Sequence, residues 1–163
     1  MTTHSTDQLT QLLQTLESIS KQLNDALILE KSVLETPDNQ QLLDVSAIKK
    51  ERVSSLESHT KATHLFLKNR GVNKGLYGLQ ALISTLTPKD KKTLVSELWL
   101  NIQSLSDANK KLNDVNGSII ELNRRYTQRS LDVLRGQVGG SHSTYGADGQ
   151  SMKSKISRNL SIA

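Results

Sequence analysis

The sequence has no cysteine, so disulfides and thiolate-held metals are excluded. Aromatic residues are scarce: one Trp, one Phe and three Tyr in 163 residues. With strand-favouring aromatic and β-branched residues sparse and 26 leucines present, composition points to long helices. Only two prolines interrupt them. No apolar run approaches the roughly 20 residues of a membrane span. The start of the chain, Met1 to Asp7, is polar and unlike a signal peptide, so the sequence predicts a cytoplasmic protein with no membrane span.

Charge of one sign is present but not concentrated. The formal net charge is +5, yet Lys49, Lys50 and Arg52, Lys89, Lys91 and Lys92, and Arg124, Arg125 and Arg129 form small groups among acids. No nucleic-acid reading motif accompanies them, so solvated helix faces are expected and nucleic acid is not a predicted partner. Of the four histidines, His59 and His64 would lie about 140° apart on a helix, which does not make a metal pair. Spacing assembles no acid, base and nucleophile either. The glycines Gly71, Gly75 and Gly78 follow no strand and precede no Gly-Lys-Ser or Gly-Lys-Thr, so they read as a helix stop and a joint. The sequence therefore predicts a binding protein rather than an enzyme, with no metal and no cofactor.

Periodicity supplies the architecture. Ser5 and Gln8 have the spacing of a capping box, and Leu9, Leu12, Leu16, Ile19, Leu23, Ala26 and Val33 then mark one helical face, interrupted by Glu30. This predicts a helix over 7–35, stopped by Pro37. A second helix is predicted over 39–70, with Leu42, Val45, Ile48, Leu56, Thr63 and Phe66 or Leu67 inward and Gly71 as its stop. The short connection makes the two an antiparallel hairpin. A short helix is expected over 76–86. Thr87, Pro88 and Asp90 then open a long helix over 88–135, with an inner seam of Leu98, Leu105, Ala108, Leu112, Val115, Ile119, Leu122, Tyr126 and Val133. The expected fold is all-α: an elongated bundle of three long antiparallel helices plus a short connector helix, spanning 1–136. A flexible C-terminal tail, 137–163, is expected after Gly136.

Helix length gives a reason to expect a partner. At 1.5 Å per residue the first two helices reach roughly 43–48 Å and the last roughly 72 Å, so its C-terminal end, about residues 120–135, should lack cover. Ile120, Leu122, Tyr126, Leu131, Val133 and Leu134 would form an apolar strip there. A partner helix along the strip is one cover; a homodimer of two free chains, or a bend at Asn116 and Gly117, is another. On the flank, Asn109, Asn116 and Asn123 recur every seven residues, as solvated boundary positions or as a ladder that sets the register of a bound helix.

The run Leu112-Asn-Asp-Val-Asn-Gly-Ser-Ile-Ile120 in the last helix, followed by Thr144-Tyr-Gly-Ala-Asp-Gly-Gln150, resembles the signature of the FlgN flagellar export chaperones. The similarity of architecture extends over essentially the whole chain. The resemblance implies an all-helical chaperone that binds the hook-filament junction proteins FlgK and FlgL, keeps them from assembling early and delivers them to the type III export gate. It implies client binding through the end of the last helix and the tail, and contact of Tyr145 and the adjoining Gly146 with the cytoplasmic domain of the export-gate protein FlhA. Together with the strip and the ladder, this makes Asn116, Ile119, Ile120, Asn123, Tyr126, Leu131 and Leu134 the expected client-binding residues. A self-associating coiled-coil adaptor is the alternative.

Overall fold

Alternating three- and four-residue leucine spacing gives the N-terminal stretch one apolar face, and in the computed structural model it forms helix α1 (Thr3–Leu34). The structure describes residues 3–36, 39–86, 89–136, 144–145 and 151–152. After α1 come α2 (Asn39–Lys68), a 3-10 turn (Gly75–Gly78), α3 (Leu79–Ser84) and α4 (Lys89–Leu134), then two two-residue strands. The all-α fold is as the sequence predicts. Helix bounds differ from the expected ones by only a few residues at each end.

The chain divides into two compact units, Met1–Gly117 and Ser118–Ala163. In the first, α1 and α2 are antiparallel: Lys49 of α2 meets Glu30 near one end, and Arg70 reaches Ser5 at the other. The first part of α4 runs parallel to α1, since its Lys91, Asn101, Asn109 and Asn116 meet Asp7, Glu17, Ser20 and Leu27 in order. The core gathers Leu9, Leu13 and Leu16 of α1, Leu67 of α2, Leu79 and Ile83 of α3, and Val95, Leu98, Trp99 and Ile102 of α4. Burial of each such leucine stabilises by roughly 1.5–3 kcal/mol, so this end carries most of the bundle's apolar stabilisation.

Two glycines make the connector. Gly71, at φ +80°, ends α2 with its N–H on the Lys68 carbonyl while the Val72 N–H reaches Leu67, the paired bonds of a left-handed helix stop. Gly75, at φ +56°, lies so near His64 that a Cβ would fall 1.4 Å from its Nε2. The left-handed backbone and the close approach to the His64 side chain both favour glycine where the connector passes over α2.

Several sequence expectations need correction. α1 begins at Thr3, so Ser5 and Gln8 lie inside the helix, where both accept hydrogen bonds from the Arg70 guanidinium. Arg70 also stacks on Phe66, 3.5 Å from the ring centroid. Ile48 is exposed, not inward. In α4 the buried positions are Val95, Leu98, Trp99, Ile102, Asn109 and Asn116, while Leu105, Ala108 and Leu112 are half-buried and Val115 is exposed. The seam is thus rotated toward the asparagines, because α1 offers them main-chain carbonyls and polar side chains. The stop and start signals at Pro37, Thr87 and Pro88 lie outside the described residues, as does the side chain of Asp90.

The second unit contains the last turns of α4, ended at Gly136 (φ +72°), whose N–H bonds the Val133 carbonyl. It also holds β1 (Thr144–Tyr145) and β2 (Ser151–Met152), paired antiparallel with Thr144 opposite Met152 and Tyr145 opposite Ser151. The sequence reading did not foresee this pair. The rest of the expected flexible tail over 137–163 lies outside the described residues.

Candidate functional site

The asparagine row is where α4 is read by the rest of the bundle. Asn109 Nδ2 donates to the Ser20 carbonyl at 2.9 Å, and its Oδ1 accepts from Asn24 Nδ2 at 2.8 Å. One heptad on, Asn116 Nδ2 donates to the Leu27 carbonyl at 2.9 Å and to Glu30 Oε2 at 2.8 Å. Lys49 Nζ closes the cluster, at 3.1 and 2.9 Å from the two Glu30 oxygens. Glu30, the one charge on the α1 seam, is thereby buried with a counter-ion and an amide donor. Asn116 is 0% exposed, so it presents nothing to a client, and its place among the expected client-binding residues is corrected. Its Oδ1 has no hydrogen-bond partner. Solvation does not explain these asparagines: they fix the parallel register of α4 on α1.

From Ser118 to Leu134 no residue is buried. Ile119 is half-buried, and Ile120, Leu122, Asn123, Tyr126, Leu131, Val133 and Leu134 are exposed, Tyr126 by 62% and Leu134 by 77%. At about 100° per residue they occupy one side of the helix, with Glu121, Arg124, Arg125, Gln128 and Asp132 on the other. The six expected client-binding residues other than Asn116 are therefore gathered on one face.

Two hydroxyls on that face are already occupied: Thr127 Oγ1 donates to the Asn123 carbonyl and Ser130 Oγ to the Tyr126 carbonyl, each at 3.0 Å. Covering them leaves no donor unmet. The opposite face is held by charge. Arg124 meets Glu121 with two bonds of 2.9 Å, and Arg125 lies 3.7 Å from it. The Arg124 hydrogen bond, with the attraction of both arginines, holds the Glu121 carboxyl below its ordinary value, and Glu121 raises Arg124 in turn.

Sequence reasoning missed a groove within the first unit. It has a volume of about 680 Å³ and is lined by Leu16, Leu23, Leu56, Trp99 and Ile102, with His64 and Asp107 among its polar residues. Tyr77, 95% exposed, borders it. The α2 spacing was too irregular to reveal that α2 and α4 leave this gap. Thr144 and Tyr145 are placed only as backbone in β1, and Gly146 lies outside the described residues.

A bundle that fixes one half of a helix with buried amides and leaves the other half exposed and amphipathic defines an all-α protein with an uncovered helix face among the described residues. The chain belongs to the FlgN protein family, whose model matches residues 1–153, and is thus of the flagellar export chaperones. No curated protein and no solved structure matches it.

Proposed function

We propose that the chain binds the hook-filament junction proteins FlgK and FlgL in the cytoplasm through residues 119–134 of α4, prevents their early assembly and carries them to the export gate. The observation that carries this reading is the apolar face of half-buried Ile119 and exposed Ile120, Leu122, Tyr126, Leu131, Val133 and Leu134 on a chain of a chaperone family. Delivery rests on the Tyr145-Gly146 motif, which resembles the part of these chaperones that contacts the FlhA cytoplasmic domain.

Both halves are tested by calorimetry. Ile120→Asp with Leu131→Asp puts charges into an interface that must be dry, and client binding should fall at least about 100-fold with the helical signal retained. Tyr145→Ala should bind FlgK and FlgL normally and the FlhA cytoplasmic domain weakly when client is loaded. Full client binding by the double variant would overturn the client site; undiminished gate binding by Tyr145→Ala would overturn the delivery role.

A further inference from the structure

The asparagine row does not stop where its partners do. Asn109 and Asn116 take the carbonyls of Ser20 and Leu27, so a seven-residue step on α4 matches a seven-residue step on α1. Asn123 is the next member. It is exposed, lies within the apolar face, and its side chain makes no hydrogen bond among the described residues. The hydroxyls of Thr127 and Ser130 on the same face are satisfied by their own helix. Asn123 is thus the one side-chain amide there still offering a donor.

We infer that Asn123 sets the direction and register of the bound partner, an amphipathic helix lying parallel to α4 and offering Asn123 a main-chain carbonyl, as α1 does for Asn109 and Asn116. The inference rests on the client site proposed above. Its direction follows from helix geometry. Side chains lean toward the N-terminus of their helix, whereas carbonyls point toward the C-terminus. In a parallel pair the asparagine amide and the partner's carbonyl approach each other head-on, as they do twice on α1. In an antiparallel pair both point the same way. The same seven-residue recurrence keeps the donor near one side of α4, drifting only about 20° per heptad. A single polar residue in an apolar seam also selects one alignment over its slipped alternatives, at some loss of affinity.

The chain lacks cysteine, so Arg135→Cys, in the turn just past α4, gives a unique nitroxide site. Recombinant FlgK carrying a nitroxide at one or the other end of its bound helix supplies the probe for pulsed spin-resonance distances. Expected is a shorter distance to the C-terminal end of the client helix than to its N-terminal end. Asn123→Asp, which replaces the donor by an acceptor facing a carbonyl, should weaken FlgK at least tenfold. Asn123→Leu should keep affinity within about threefold while the two distances merge into a mixture.

The reverse order of distances, or Asn123→Asp binding as the parent does, overturns the inference while leaving the client site intact. FlgK binding that survives Ile120→Asp with Leu131→Asp overturns the client site itself. A client-free dimer seen by light scattering and abolished by those two substitutions would assign the face to a second copy and overturn the inference as well.

Discussion

Within α4, the residues up to Gly117 and those from Ser118 onward share one sequence pattern and meet different surroundings. Both stretches carry apolar residues at helical spacing, and the asparagine row of positions 109 and 116 in the first continues at 123 in the second. In the first, Val95, Leu98, Trp99 and Ile102 are buried and the asparagines are bonded to α1; in the second, nothing is buried. Amphipathicity therefore does not distinguish a helical stretch that completes its own fold from one that stays exposed. What distinguishes them among the described residues is that the first stretch is bonded to α1 and buries side chains, while the second buries none.

The contrast is broken most strongly by equal truncations in the two places. Leu13→Ala removes a fully buried side chain and should destabilise the protein by about 2–5 kcal/mol in denaturant unfolding, with FlgK binding unchanged on whatever fraction stays folded. Leu134→Ala, at a position mostly open to water, should shift stability by less than about 0.5 kcal/mol yet weaken FlgK. Equal stability losses would mean that the second stretch is packed in solution and is not a docking face.

A smaller effect is expected at the buried charge. Lys49→Met leaves Glu30 with Asn116 as its remaining partner and should cost about 2–3 kcal/mol. That is the low end for a broken buried pair, since Lys49 is itself about one-quarter exposed. Glu30→Gln added to Lys49→Met should recover part of the loss, because a neutral amide can stay near Asn116 with no charge unmatched. If the double variant is no better than Lys49→Met, the lysine contributes packing and not charge.

How far these features could be read beforehand follows from which interactions are local. Leucine spacing, Gly71 and Gly136 are signals carried by neighbouring residues, and they place the helices and their ends closely. The excess length of the last helix is likewise arithmetic on those bounds, which is why six of the seven expected client residues lie on one exposed face. Asn116 went the other way because its partners, Leu27 and Glu30, are far away in the chain. Glu30 looked like a blemish in a seam for the same reason: nothing local announces Lys49. The groove beside Trp99 depends on how α1, α2 and α4 pack around it, which no periodicity encodes. The short β1–β2 pairing also joins residues that local propensity does not single out.

The smallest expected effect sharpens the comparison from the exposed side. Glu121 has its carboxyl lowered beneath the ordinary 4.5, chiefly by the Arg124 hydrogen bond and then by the attraction of Arg124 and Arg125. A depressed carboxyl stabilises the folded form above its unfolded value and loses that contribution as pH falls through the depressed one, so the window lies at and below 4.5. Glu121 and its arginines are solvated, so the contribution is screened and belongs to the turns around it. Lowering pH through that window should speed amide exchange around residues 121–125 and leave the exchange of core amides near Leu13 and Val95 unchanged. Glu121→Gln should show the faster exchange already at neutral pH, with no resolvable change in global unfolding. Arg124→Gln should return the Glu121 carboxyl toward 4.5 in an NMR titration. If acid loosened core and α4 end together, the two stretches would be one cooperative unit, and the exposed half of α4 would owe its helicity to the bundle rather than to its own side-chain pairs.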